Sequence, residues 1–166
     1  DLSSRLQALA DNPRDADAAL ALEAAVDEGG DAAQVTSALL DAYQLLSDET
    51  EREEKLALGF RVGRLMRRSG ELDAAERVYS ELLELTPGDQ VAQAALEDLR
   101  RSLGKHEELV EQWLAQADET ETRTEKARAM AKIGKLYGTE LGDREQAVVA
   151  YAQALCDDPS SSEYAD

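Results

Sequence analysis

The chain has 166 residues, of which 43% are hydrophobic but only 4% aromatic, and its formal net charge is −18. This excess of acid disfavours binding to nucleic acid or to an anionic membrane surface, because long-range repulsion opposes both. A single cysteine excludes a disulfide within the chain, and no apolar run approaches the roughly 18 residues that span a bilayer. Alanine and leucine dominate the apolar positions, so the composition predicts an all-α protein. The lack of an apolar span predicts a soluble one. The single cysteine does not decide the compartment, and a cytoplasmic location is slightly favoured.

Prolines and glycines divide the chain at regular intervals. Pro13, Pro87 and Pro159 are 74 and 72 residues apart, and each follows a short apolar run that ends where proline would stop a helix. Glycines spaced 40, 34 and 38 residues apart divide these long segments further: Gly30, Gly70, Gly104 and Gly142. Such punctuation predicts a repeated two-helix hairpin, with a turn at each glycine.

In chain order, residues 1–13 are predicted to hold the second helix of a preceding hairpin. Four hairpins follow: hairpin 1 (14–47, helices 16–28 and 32–46), hairpin 2 (48–87, helices 52–69 and 72–86), hairpin 3 (88–119, helices 89–102 and 105–118) and hairpin 4 (120–159, helices 122–140 and 143–157). Residues 160–166 are predicted to start another hairpin, so that 1–166 is one array from a longer solenoid. Thr50 with Glu53 and Thr122 with Glu125 fit capping boxes at two helix starts.

Two stretches resemble tetratricopeptide repeats. One runs from Leu58 to Met66 and continues to Pro87, and the other runs from Lys132 to Pro159, with one residue inserted before Gly142. The resemblance implies a right-handed superhelix of stacked helical hairpins. Its structural positions would be Gly63, Gly70, Ala75, Tyr79, Pro87, Gly104, Trp113, Gly134, Tyr137, Gly142, Ala147, Tyr151 and Pro159.

The resemblance also implies that the first helices of the hairpins line a concave groove. Basic residues one helical turn apart would face that groove: Arg64, Arg67, Arg68, Arg101, Arg128, Lys132 and Lys135. In one interpretation they bind the carboxylates of an acidic peptide. In the other they form ion pairs within the chain, with neighbours such as Glu97, Asp98 and Glu125.

The remaining candidates favour structural roles. Trp113 lies at helical spacing beside Leu109 and is expected in the core, His106 is expected to be solvated at a helix start, and Cys156 is expected to pack near a helix end. One histidine cannot form a histidine-based metal cluster or a catalytic dyad, so no catalytic residue, metal or cofactor is predicted.

The sequence therefore predicts a protein–protein interaction scaffold for a peptide or protein partner, not an enzyme. The alternative is a structural spacer or self-association arm of a larger protein. Exposed end faces would allow end-to-end self-association of a truncated array. Arginine outnumbers lysine 13 to 5, which hints at a bacterial source with a GC-rich genome.

Overall fold

The computed structural model describes residues 1–160, which form helices and turns and no strand. The helix bounds agree with the predicted ranges to within one residue when the π-helical turn that follows α8 is counted with it. The predicted start of another hairpin lies, after Ser160, outside the described residues. The helices are α1 (Leu2–Asp11), α2 (Ala16–Asp27), α3 (Ala32–Leu45), α4 (Arg52–Arg68), α5 (Leu72–Leu85), α6 (Gln90–Ser102), α7 (His106–Glu119), α8 (Arg123–Lys135) and α9 (Arg144–Asp157), with a π-helical turn at Leu136–Glu140.

Acidic side chains begin many of these helices. Five helices start at an aspartate whose carboxylate accepts a hydrogen bond from a backbone N–H in the first turn: Asp1, Asp15, Asp31, Asp89 and Asp143. A helix N-terminus also favours negative charge, because its free N–H groups give it a partial positive charge. Part of the acidity of the chain therefore stabilises the helices.

The two predicted capping boxes have different outcomes. Thr122 caps α8 by accepting from the Glu125 N–H at 3.3 Å, and its hydroxyl donates to the Glu125 carboxylate at 2.7 Å. The box predicted for Thr50 is wrong. Helix α4 starts at Glu51, whose carboxylate accepts from the backbone N–H of Ser47 at 3.2 Å, so the acid side chain closes the preceding turn instead.

The first hairpin turn uses a different glycine from the one predicted. Gly29 takes the left-handed conformation, with φ +94°, and its neighbour Gly30 does not. A Cβ on Gly30 would lie 2.7 Å from the backbone oxygen of Ala25, so Gly30 is needed for space and Gly29 for its backbone angle. The other three turns have left-handed glycines at the predicted positions: Gly70, Gly104 and Gly142.

The helices form two compact units, Asp1–Leu103 (unit 1) and Gly104 onwards (unit 2). In unit 1, α3 packs on α4, α4 on α5 and α5 on α6, while α1 packs on α2 and α3. In unit 2, α8 packs on both α7 and α9. The boundary falls within predicted hairpin 3, whose helices α6 and α7 belong to different units. The pairing of α6 with α7 as hairpin 3 and the single array over residues 1–166 therefore stay predictions.

Two glycines on first helices lie against tyrosine rings of the second helices. A Cβ on Gly63 of α4 would lie 2.7 Å from the ring of Tyr79 on α5, and one on Gly134 of α8 would lie 3.0 Å from the ring of Tyr151 on α9. Tyr79 is buried, and Tyr151 is partly buried. Each glycine therefore makes room for an aromatic ring of the second helix, which lets the two helices pack closely.

The residue inserted in hairpin 4 is absorbed by the π-helical turn. Gly142 lies eight residues after Gly134, whereas Gly70 lies seven after Gly63. The Leu141 N–H donates to the Leu136 carbonyl at 3.1 Å, which is the wider hydrogen-bonding pattern that takes up one extra residue. The insertion therefore leaves the left-handed turn and the start of α9 in place.

A largely buried ion pair joins α5 to α6. Arg100 Nε lies 3.2 Å from Glu76 Oε1, and both side chains are less than 15% exposed. Charges at such positions have lost most of their hydration. Removing one partner should therefore lower the free energy of unfolding more than removing both.

We expect Gly63→Ala to lower the free energy of unfolding by about 1–2 kcal/mol, because the new methyl group would displace the buried Tyr79 ring. The control is Gly138→Ala, where the added Cβ would meet only Ala147 at 3.5 Å, an ordinary contact. Urea unfolding followed by circular dichroism should show Gly138→Ala unchanged or slightly stabilised. Equal losses in both variants would contradict the tight approach at Gly63.

We expect Arg100→Leu to destabilise the chain by about 2–4 kcal/mol, since it leaves the Glu76 carboxylate without this guanidinium. The double variant Arg100→Leu/Glu76→Leu should recover most of that loss, because neither charge is then buried. Thermal unfolding of both variants provides the measurement. A double variant no more stable than the single one would show that the unpaired Glu76 carboxylate is not the cause of the destabilisation by Arg100→Leu.

Candidate interaction site

The predicted groove arginine Arg64 forms an ion pair within unit 1. Arg64 Nη2 lies 3.0 Å from Glu23 Oε1, and Arg61 binds the second carboxylate oxygen of the same residue. Glu23 belongs to α2, the first helix of the preceding hairpin, and its side chain is mostly buried. The two guanidiniums therefore hold an acid of the chain itself.

The other predicted arginines of unit 1 are paired as well. Their partners lie on α2 for Arg68 and on α6 for Arg67 and Arg101. The pairs are Arg68 with Asp27 at 2.8 Å, Arg67 with Asp98, and Arg101 with Glu97 at 3.9 Å. The arginine side chains are about half exposed, so each pair contributes roughly 0–1 kcal/mol to stability. The pairs of Arg68 and Arg67 connect α4 to α2 and α6, whereas the pair of Arg101 with Glu97 lies within α6.

The predicted cations of unit 2 lie on one exposed face of α8. Arg128, Lys132 and Lys135 are spaced four and three residues apart, which places them on the same side of the helix. Lys132 Nζ lies 5.1 Å from the ring centroid of Trp113, close enough for a cation–π interaction. Arg128 and Lys135 form no ion pair within the part of the chain that the structure describes.

Arg128 does influence one acid near it. The pKa of Glu125 is lowered mainly by hydrogen bonds from the hydroxyls of Thr120 and Thr122, and further by the charge of Arg128. Glu125, one of the acids named as possible ion-pair partners, therefore accepts hydrogen bonds from two threonine hydroxyls. The side chain of Arg128 is exposed.

Three residues were expected to have structural roles and not to form a site. Trp113 is 1% exposed and lies in the core of unit 2 with Leu109, which agrees with a structural role. His106 is partly exposed at the start of α7, as expected, but its ring Nδ1 is buried and has no hydrogen-bond partner among residues 1–160. The packing role expected of Cys156 is wrong. Its side chain is exposed because the alanines Ala150 and Ala154 form the buried face of α9.

Two cavities on the first-helix side of unit 1 have no counterpart in the sequence analysis. The α2–α4 cavity has a volume of about 300 Å³ and the α4–α6 cavity about 340 Å³. Ala57 and Arg61 of α4 line both cavities. The first is lined by Pro13, Arg14, Asp15, Ala16, Ala19, Glu53, Glu54, Ala57, Leu58 and Arg61, and the second by Ala57, Phe60, Arg61, Arg64, Asp89 and Val91.

Arg14 closes one end of the α2–α4 cavity. Its Nη2 lies 2.6 Å from Glu54 Oε1, and its Nε lies 3.6 Å from Glu51 Oε2. The pKa of Glu54 is lowered first by a hydrogen bond from its own backbone N–H and then by Arg14, and the pKa of Arg14 is raised by Glu54. The guanidinium of Arg14 is therefore neutralised by acids of α4 and the turn before it.

Among residues 1–160, no group of three or more histidine, cysteine, aspartate or glutamate side chains is arranged to hold a metal ion. None of the described helices is both long enough and apolar enough to cross a membrane.

The sequence matches no family model and no curated protein. Solved structures do match. A crystal structure of MamA is 18% identical with a TM-score of 0.54, and the match covers 95% of this chain and 86% of MamA. A tetratricopeptide repeat protein from Parabacteroides merdae is 19% identical with a TM-score of 0.53, covering 97% of this chain and 56% of that one. PilF from Pseudomonas aeruginosa is 18% identical with a TM-score of 0.51, covering 98% and 70%.

Sequence identities this low carry information about the fold alone. The described residues are helical, and the hairpins of α4 with α5 and of α8 with α9 pack through glycine and tyrosine at equivalent positions. This chain therefore has the helical-hairpin fold of tetratricopeptide repeat proteins.

Proposed function

We propose that this chain is a protein–protein interaction scaffold and that the exposed basic face of α8 binds an acidic segment of a partner. The face consists of Arg128, Lys132 and Lys135. The observation that carries the proposal is the difference between two sets of cations. In unit 1 the predicted groove arginines have acidic partners, whereas Arg128 and Lys135 have no ion-pair partner among the described residues.

The spacing of the basic face suits a short extended peptide. Seven residues of α-helix separate Arg128 from Lys135, a rise of roughly 10 Å along the axis. An extended chain covers that distance in about three residues. Side chains at alternate residues of an extended chain share one face, so carboxylates two residues apart, roughly 7 Å, could each meet a cation, and the guanidinium of Arg128 can form a paired hydrogen bond with one of them.

Binding through the arginines of unit 1 would need an exchange of partners. An acidic peptide that reached Arg64 would have to displace Glu23, and one that reached Arg68 would have to displace Asp27. Freed carboxylates would then face the incoming peptide and repel it. Arg64, Arg67, Arg68 and Arg101 are therefore proposed as secondary contacts, and the α8 face as the primary one.

The test is the double charge reversal Arg128→Glu/Lys135→Glu. With a fluorescein-labelled peptide of alternating glutamate and serine, fluorescence anisotropy should show affinity reduced by about tenfold or more, because two attractive contacts become repulsive. Helicity measured by circular dichroism should stay the same, since both side chains are exposed.

The matched control is Arg123→Glu/Arg144→Glu, which changes the net charge equally. Arg123 lies on the opposite side of α8, and Arg144 starts α9, and both are exposed. This control should bind the peptide within about twofold of the unaltered protein. A loss as large in the control as in the test variant would mean that only net charge matters, and full retention in the test variant would reject the α8 face.

A second candidate function, a self-association arm, is favoured by the outer face of α9. Val148 and Val149 are 67% and 65% exposed. Val148 lies six residues after Gly142, as Glu76 lies six after Gly70, and Glu76 is covered by its contact with Arg100 of α6. Among the described residues, no helix covers Val148 as α6 covers Glu76, so the valine face could pair with a second copy of the chain.

We expect Val148→Glu to abolish any concentration-dependent association, because burying the new charge in an apolar contact is costly. Sedimentation velocity over a wide range of protein concentration provides the measurement. The control is Val91→Glu, which replaces a valine that is also 67% exposed but lies on α6. A protein that is monomeric at every concentration, or an equal effect of both variants, would rule out the α9 face.

A further inference from the structure

The α2–α4 cavity has an accessible aliphatic wall. Ala19 and Leu58 form its buried floor, and Ala16 and Ala57 lie at its open side, where both are exposed to solvent. Methyl groups on both helices leave a space of about 300 Å³, near the lower limit for ligand pockets. A cavity of this size suits one long side chain and is small for a cofactor.

The charges around this cavity leave an excess of acid. Three carboxylates and two guanidiniums line it, and both guanidiniums are already paired, Arg14 with Glu54 and Arg61 with Glu23. Glu53 is exposed at the cavity and has no ion-pair partner among the described residues. An incoming cation would thus meet an uncompensated carboxylate, and an incoming anion would be repelled.

The carboxylate of Asp15 adds to the preference of the cavity for a cation. It caps α2 by accepting a hydrogen bond from the Ala18 N–H at 2.9 Å through one oxygen. A carboxylate has two oxygens and can accept several hydrogen bonds, so the second oxygen can still receive a donor from a ligand. Asp15 and Glu53 come from the two helices on either side of the cavity, so a donor between them could reach both sides.

We propose that the α2–α4 cavity binds a lysine or arginine side chain from a basic segment of a partner protein. The aliphatic stem of such a side chain packs on Ala16 and Ala57, while its charged end remains at the mouth and meets Glu53. The net charge of −18 supports this occupant, because the field of the whole chain attracts basic segments and repels acidic ones. This site has the opposite charge preference to the α8 face and does not depend on it.

The test uses short glycine–serine peptides that differ in one central residue. The ¹⁵N-labelled full chain is titrated with peptides that contain arginine, its neutral isostere citrulline, or glutamate. The arginine peptide should shift the amide resonances of Ala16, Glu53 and Ala57 in heteronuclear NMR spectra. Citrulline should bind roughly three- to fivefold more weakly, which corresponds to the loss of one exposed ion pair, and glutamate should not shift these resonances.

Two variants test the two parts of the cavity separately. Glu53→Gln should weaken binding of the arginine peptide roughly three- to fivefold and bring it close to the citrulline value. Ala57→Leu should weaken binding of both peptides by about tenfold or more, because the larger side chain fills the cavity. The spectra themselves show whether each variant is folded.

Each variant has a matched control. Glu49→Gln removes an exposed carboxylate that does not line the cavity, and Ala24→Leu enlarges an exposed alanine of α2 that does not line it either. Both controls should bind the arginine peptide like the unaltered protein. Equal binding of arginine and citrulline peptides, or full binding by Ala57→Leu, would overturn the proposal.

Discussion

The tight contact between a glycine of one helix and a tyrosine of the next fixes the packing of two hairpins, α4 with α5 and α8 with α9. Gly63 receives the ring of Tyr79, and Gly134 receives the ring of Tyr151. A contact this close allows little rotation of either helix, since any added atom would overlap the ring. It therefore determines which residues of α4 and α8 face away from the hairpin, and those residues form the surfaces on which both proposed binding sites depend.

The same register has a different electrostatic outcome in the two units. Arg61 and Arg64 lie two residues before and one after Gly63, and Lys132 and Lys135 lie at the equivalent places around Gly134. In unit 1 both arginines bind Glu23. On α8, Lys132 lies over the Trp113 ring, and Lys135 has no ion-pair partner within the described residues. Helical register thus places a cation on a face, while the neighbouring helix decides whether it is neutralised.

Features set by neighbouring residues could be predicted from the sequence, whereas contacts between helices could not. Periodic prolines, glycines and apolar residues predicted the helices to within one residue, because caps and turns are local. Ion pairs such as Arg67 with Asp98 join residues about thirty positions apart, so spacing could suggest them but not choose among several acids. Local geometry also limited the predictions, since the sequence does not show which of Gly29 and Gly30 takes the left-handed conformation and which is required for space beside Ala25. The two cavities depend on the separation of α2, α4 and α6, and the only hint in the sequence was a small residue, Ala57, one turn before Arg61.

The size of one residue on each first helix would give the two proposed sites opposite charge preferences. Ala57 lies six residues before Gly63, and Arg128 lies six before Gly134. Where the side chain is a methyl group, the surface opens into the α2–α4 cavity, which Glu53 lines without an ion-pair partner among the described residues. Where it is a guanidinium, the same place presents a cation to solvent. A repeated backbone can therefore offer an acidic recess and a basic face at equivalent positions. Because both arise from exposed residues outside the glycine–tyrosine contacts, either preference can change by substitution without disturbing the packing that holds the hairpins together.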